Sequence, residues 1–382
     1  MALARIVHST IRDYIKGAQD SVMRKRLLLA MLQKRGRISY NRSGLKLDWK
    51  VQFDRQPLST YDEGELISFT ASDRYRTFTS EWVQYVASDS ITKKQTLQNR
   101  GAQAIIQLAS EMGKKLLDDA RDRFCEELFV DGAATANAKR LDGLLTPFQI
   151  GNGSDALSGA ATNGDDTSYS KFVIALAAPT TATYGGVAMG LGQIAGDWNT
   201  TNWPIGTGDE SYDFNHPLAI NIETGEWTDS TTVSSTAGLA KALRFGYYAS
   251  ERNGNKQDFA LLDWELLRKF KESQESKQRA QALKGNDSDI TKLGFEGVSY
   301  DGIELTTEYG LPQSSLTGGT ESAIGFGVNL DAFEICSMQD KLFVSDKDAD
   351  ITTKSDLVMV DFYGATRNDP RKQVLYVGNG DS

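Results

Sequence analysis

Two cysteines and two histidines are all that this 382-residue chain contains. That scarcity narrows the chemistry at once. Cys125 and Cys336 have no short spacing to each other or to His8 and His216, so a Cys/His metal site has no framework. Both cysteines read as buried thiols in a reducing compartment. His8 lies in a basic segment and His216 precedes Pro217 in a loop. Neither stands in a nucleophile-type motif, which leaves His-dependent acid–base schemes without candidates. The G-x-S-x-G elbow of serine hydrolases and the G-x-x-x-x-G-K-[ST] phosphate loop are also missing. No catalytic residue, cofactor site or metal site is therefore assigned, and the chain reads as a non-enzyme. No apolar run approaches the roughly 20 residues of a membrane helix. Met1 to Asp20 mixes charged and apolar residues, unlike a signal peptide. Use in the cytoplasm, away from membranes, is the expectation.

What is present is unevenly distributed charge. Nine Lys/Arg against Asp13 and Asp20 give residues 1–37 a charge of +7, leaving −16 for the rest of a chain whose total is −9. A basic arm on an acidic body points to an acidic partner: nucleic acid, another protein, or a neighbouring subunit. The plain alternative is a solvated amphipathic helix. An acidic body argues against wholesale DNA binding.

Periodicity divides the chain. Leu3, Ile6, Val7, Ile11, Tyr14 and Ile15, then Leu27, Leu28, Met31 and Leu32, predict helix over 3–34, ended by Gly36. The period then drops to two. Leu45, Leu47, Trp49, Val51 and Phe53 alternate with polar residues, and Ile67, Phe69 and Ala71 alternate on the return, predicting a long hairpin. A third strand runs through Tyr75, Phe78, Trp82 and Val86. Thr92 and Gln95 form a capping box, and an apolar stripe from Ala102 to Leu128 predicts one helix of about 35 residues, roughly 50 Å. Residues 151–235 are rich in Gly, Ser, Thr, Asn and Asp and read as surface loops. Helices are predicted over 236–249 and 263–283, the second after a short strand from Phe259 to Leu262, with a mobile polar loop over 275–292. The rest reads as strand: 303–307, 323–328, 333–338, 342–344, 356–366 and 373–377.

Three local patterns carry no chemistry. Asp346-Lys347-Asp348-Ala349-Asp350 starts like a calcium loop but has Ile351 where that loop needs Gly and Leu357 where it needs Glu, so it reads as a solvated turn. Gly185 to Gly196 lacks G-x-G-x-x-G and reads as a close-packed apolar segment around Val187, Met189 and Leu191. Asp118-Asp119 and Glu126-Glu127 are adjacent on the long helix and read as a solvated face.

The order of elements is informative: basic arm, long hairpin, very long helix, Gly/Ser-rich centre, closing strands. It resembles the major capsid proteins of tailed double-stranded-DNA bacteriophages with the Hong Kong phage-type fold, shared with encapsulins. "RQPLSTYDEGELISF" (55–69) is similar to that group's extended loop, and "DRYRTFTSEWVQYVASDSITKKQTLQNRGAQAI" (73–105) to the lead-in of its spine helix. "CEELFVDG" (125–132) resembles the end of that helix. "LGFEGVSYDGIELTTEYGLP" (293–312) and "GVNLDAFEI" (327–335) are similar to axial and return-strand segments. The resemblance covers nearly the whole chain; 151–235 departs from it.

The resemblance implies an α+β fold divided as 1–40 N-terminal helical arm, 41–72 extended hairpin loop, 73–140 peripheral domain with spine helix, 141–335 axial domain with the 151–235 insertion, and 336–382 returning peripheral strands. It implies a structural protein that assembles into pentamers and hexamers of an icosahedral virion shell around packaged DNA, in the bacterial cytoplasm. An encapsulin-type nanocompartment is the alternative. Implied partners are scaffolding, portal and decoration proteins. Because an isolated ribbon cannot bury its own apolar face, Leu45, Leu47, Trp49, Val51, Phe53, Ile67 and Phe69 are expected to meet a neighbouring copy. Arg24, Lys25, Arg26, Lys34, Arg35 and Arg37 are expected to form an inner-surface basic arm. Two family features do not transfer: the Lys–Asn cross-link has no assignable partners, and a separate scaffolding protein, or none, is implied.

Overall fold

The computed structural model describes residues 26–54, 58–66, 73–98, 108–148, 173–174, 183–189, 214–222, 235–251, 254–275, 281–282, 297–308, 311, 314–317, 320–350 and 354–379. Among the described residues, five α-helices position the rest: α1 (Leu27–Lys34), α2 (Lys93–Gln98), α3 (Leu108–Glu127), α4 (Ser235–Ala249) and α5 (Trp264–Glu275). Helix α1 is the only part of the predicted 3–34 helix among the described residues. Its Leu27, Leu28, Leu29, Met31 and Leu32 are buried, so it is a core element rather than a free arm. It stops where expected: Gly36 takes φ +66, and the Arg37 N–H bonds the Leu32 carbonyl at 2.8 Å.

Among the described residues, the larger of two main sheets has nine strands. Phe259–Leu262 lies at its middle, parallel to Ile303–Thr307 and antiparallel to Thr320–Val328. All four of its residues are buried, because both faces are covered. Phe259 and Leu261 enter a core with α1 and the end of α3, while Ala260 and Leu262 enter a second core with α4 and α5. The predicted strands at 259–262 and 303–307 match the structure residue for residue.

The smaller, five-stranded sheet is built on Ser355–Asn368. One edge of that strand pairs with Val83–Thr92. Phe333–Ser337 and then Val344–Asp350 pair along the other edge. The calcium-like 346–350 segment is thus an edge strand and not the solvated turn expected. Pairing with 355–361 outweighs its local polarity, and charged residues are characteristic of such edges. The expected 335/336 boundary does not separate the two sheets. Phe333–Ser337 spans it, and Val374–Asn379 returns to the larger sheet, pairing with Thr320–Val328 and Leu218–Asn221. Among the described residues no helix is long and apolar enough to cross a membrane.

Candidate assembly site

The period-two run does form a strand, Leu47–Gln52, but its partner is Tyr75–Ser80, in a register that sets Trp49 opposite Phe78. The return was expected at 67–71; Ile67, Phe69 and Ala71 lie outside the described residues. Among the described residues, Leu47–Gln52 closes on Tyr75–Ser80.

The apolar face of this ribbon is not left for a neighbour. Trp49 stacks on Phe78 at 5.6 Å, and both rings touch Tyr184. Phe214 approaches Phe53 and Phe78, and Val187 and Met189 complete the cluster. Trp49 and Phe53 are each 8% exposed. The expectation that the whole face needs a second copy is corrected: the same chain supplies the cover from residues 183–189 and 214. That cover is a tight hairpin, Thr183–Tyr184 paired with Val187–Ala188. Gly185 and Gly186 at φ +57 and +77 form the turn, as a two-residue type I′ connection requires. A Cβ on Gly185 would sit 2.9 Å from Cδ1 of Phe78, so the close approach also requires glycine. The Gly-Gly pair between Tyr184 and Val187 was the readable signal for this hairpin.

Exposure returns beyond the ribbon. Leu45 is 92% exposed, Leu58 99%, Tyr61 68% and Leu66 99%. The loop between them is folded locally: the Glu65 N–H bonds the Asp62 carbonyl, and the Asp62 N–H bonds the Glu65 carboxylate, both at 3.1 Å. Among the described residues, these leucines are not packed into a core.

The long-helix segment carries α2 and α3, with 99–107 outside the described residues. The capping box forms as read. Gln95 N–H donates to the Thr92 hydroxyl at 3.4 Å, and Thr92 N–H donates to the Gln95 side-chain oxygen at 3.2 Å. The carboxylates on α3 are less solvated than expected. Glu127 takes Arg140 in a two-point pair and accepts the Tyr85 hydroxyl at 2.8 Å. Glu126 and Asp122 both hold Arg26. The Asp118–Arg121 pair at 3.8 Å does lie on the surface.

The basic-arm expectation is corrected at three residues. Arg26, its side chain 7% exposed, reaches Asp122 at 2.7 Å, Glu126 at 3.0 Å and Glu308 at 3.9 Å. Glu308 in turn accepts the Leu27 and Leu28 N–H groups at 2.8 and 3.3 Å, capping α1. Arg35 pairs with Asp258 at 3.3 Å, and Arg37 pairs with Asp331. The acidic partner of these arginines is the body of their own chain, at positions 96 to 294 residues away that local sequence cannot reveal. Lys34 lies exposed at the end of α1. Arg24, Lys25 and His8 lie outside the described residues.

Cys125 and Cys336 are free and buried, as read. Burial pushes the Cys125 thiol up to about 12. His216 is buried, with Nδ1 2.7 Å from the Met189 carbonyl. Among the described residues no group of three or more metal-ligating side chains converges.

No family model and no curated protein matches this sequence. Solved structures do. The capsid asymmetric unit of cyanophage A-1(L) superposes with a TM-score of 0.55 at 12% identity, covering 96% of each chain. The capsid of a native GTA particle, computed with C5 symmetry, gives 0.53 at 10% identity over 100% of this chain and 99% of the other. The capsid of cyanophage P-SCSP1u gives 0.51 at 10% identity over 98% and 95%. Such low identity with near-complete coverage is a likeness of backbone rather than of side chains: this chain has the mixed helix-and-sheet fold of phage capsid proteins.

Proposed function

We propose that this chain is the major capsid protein of a tailed bacteriophage, assembling into the pentamers and hexamers of an icosahedral shell around the DNA genome. The observation that carries the reading is the fold match to phage capsids over almost the full length of both chains. The exposed ribbon tip supports it, because identical subunits in a closed shell meet through heterologous contacts, one patch on a different patch. The contact surface is proposed at Leu45, Leu58, Tyr61 and Leu66, with Ile67 and Phe69 continuing it in sequence. Trp49 and Phe53 stiffen the ribbon from behind. Arg24, Lys25 and Lys34 are the basic residues proposed to meet a scaffolding protein or packaged DNA. Portal and decoration proteins, assembly in the host cytoplasm, and the division into arm, loop, peripheral and axial regions belong to the same proposal, as does the absence of catalysis.

Sedimentation and negative-stain microscopy of the expressed chain, alone and with a scaffolding partner, test this. Closed shells of uniform diameter are expected. A discrete monomer or dimer under every condition refutes it, and small shells filled with a cargo enzyme point to a nanocompartment instead.

A further inference from the structure

Two Asp-Gly pairs lie against each other just past the end of α3. Asp131-Gly132 follows the helix, and Asp142-Gly143 returns beside it, with the Leu144 N–H on the Leu128 carbonyl at 2.8 Å. The contact leaves no room for a side chain. A Cβ on Gly132 would sit 2.6 Å from Oδ1 of Asp142, and one on Gly143 would sit 2.5 Å from the Val130 carbonyl oxygen. The two glycines therefore bring the two carboxylates into one pocket.

Separate elements close it. Ser80, at the end of the ribbon strand Tyr75–Ser80, donates to Oδ2 of Asp142 at 3.0 Å. Thr366, on Ser355–Asn368, donates to the Asp142 carbonyl. The Gly132 N–H donates to the Thr146 hydroxyl at 3.0 Å. Tyr184, from the hairpin that covers the ribbon, brings its hydroxyl to the Asn368 N–H; burial, and then the Asp142 charge, raise its pKa.

Polar atoms here outnumber their partners. Asp131 is 5% exposed; its Oδ1 accepts the Ala133 N–H at 2.9 Å, and its Oδ2 has no partner among the described residues. The Tyr184 hydroxyl and both amide atoms of Asn368 are equally unmet, at 3% and 1% exposure. Among the described residues, no lysine or arginine is counted with the groups that shift either carboxylate, and Asp142 feels a further carboxylate, Glu81. Two buried carboxylates without a basic neighbour need a proton or a metal ion. Burial, with the Asp142 charge added, pushes Asp131 up to about 7, so the proton is easily displaced at neutral pH. The free donors are oxygens, which suit a hard cation. Two carboxylates balance a double charge, and neutral oxygens can fill the rest of its shell. We propose that this pocket binds a divalent cation of the calcium class through Oδ2 of Asp131 and Oδ1 of Asp142, with Asn368 and Tyr184 supplying neutral oxygens. The ion ties the ribbon to the end of α3, because Ser80 reaches Asp142 and Tyr184 touches Trp49 and Phe78. The inference stands apart from the shell reading, since every residue in it belongs to one chain.

The full chain, stripped with EGTA at about pH 7.5 so that both carboxylates can give up their protons, is titrated with Ca2+ alone and with Tb3+ alone. One ion per chain is expected. Tb3+ emission excited through Tyr184 and Trp49 should rise, and Ca2+ should reverse it. Saturating Ca2+ should raise the unfolding midpoint and slow proteolysis at 47–52. Asp131→Asn and Asp142→Asn keep the shape and remove the charge. Each should weaken Ca2+ binding about tenfold or more and cancel the rise in midpoint, while the midpoint in EGTA stays at or above the parent's. Asp346→Asn with Asp348→Asn, on the exposed edge strand, should leave binding unchanged. A parent chain that takes up neither ion at about 1 mM, the weak end of protein calcium sites, overturns the proposal whatever the variants do. So does binding that survives Asp131→Asn and Asp142→Asn, or that disappears with the 346/348 pair.

Discussion

Glu308 is a carboxylate in a position unfavourable to its charge. It is 2% exposed, and burial pushes its pKa up to about 7 although it accepts two N–H groups and faces Arg26. Asp131, 5% exposed, is likewise raised by burial to about 7. Both sit well above their unfolded values of about 4. The folded state therefore binds protons more readily than the unfolded state, so stability is full below the unfolded values and is lost as pH rises through about 7. At about 1.4 kcal/mol per unit, the Glu308 shift amounts to roughly 3 kcal/mol. The urea midpoint should fall between about pH 5.5 and about pH 8, and Glu308→Gln, which keeps an oxygen acceptor for Leu27 and Leu28, should flatten that slope. A slope unchanged in the variant would remove Glu308 as its source. The same cluster predicts a large loss in Arg26→Met. Asp122, Glu126 and Glu308 would then face one another without a cation, and removing one partner of a buried pair costs about 3–5 kcal/mol. A urea titration at neutral pH that shows less than about 1 kcal/mol would make Arg26 a surface residue in energetic terms.

At the scale of elements, the ribbon depends on a hairpin more than a hundred residues downstream. Gly185→Ala places a side chain at positive φ, about 1–2 kcal/mol unfavourable, and pushes a methyl into Phe78. The expected result is a lower unfolding midpoint together with protease sensitivity at 47–52, because the cover over Trp49 loosens. Wild-type protection in the variant would show that Trp49 is held without that turn. This dependence also marks what could be read from the sequence. Alternation from Leu45 to Phe53 announced a strand, and Thr92 with Gln95 announced a helix start, because both are local relations set by backbone period and capping geometry. Phe259–Leu262 was readable as a short apolar run between turns. Which strand Leu47–Gln52 joins, what covers Trp49, and where Arg26 finds its carboxylates are long-range relations, and one sequence carries no local trace of them. Arg26, Arg35 and Arg37 depart from the basic-arm expectation for that reason: a positive charge looks the same whether its counter-charge lies in a partner or in residues 122, 126, 258, 308 and 331 of its own chain. The candidate site was legible in outline, as a ribbon with something to bury. Its exposed part moved from the strand to the tip once the chain's own cover was counted.

For the whole molecule, the decisive contrast is between residues that hold the chain together and residues proposed to serve an assembly. Leu58 and Leu66 are each 99% exposed, so neither adds packing energy to the isolated chain. Leu58→Asp and Leu66→Asp should therefore leave the unfolding midpoint of the unassembled chain within about 0.5 kcal/mol of the parent. The proposed contact would bury the same leucines in every copy of a shell. Burying one leucine is worth about 1.5–3 kcal/mol, and the replacement adds an aspartate to a tip that already carries Asp62, Glu63 and Glu65. The double variant should remain folded and sediment as a small species under conditions where the parent forms shells. Mixed with parent chains, it should lower shell yield in proportion to its share, since heterologous contacts give each subunit one tip to offer. Normal shells from the double variant would move the contact away from the tip. An unfolded double variant would show that Leu58 and Leu66 support the subunit after all. Only a folded chain that no longer assembles fits the contact proposed at Leu58 and Leu66.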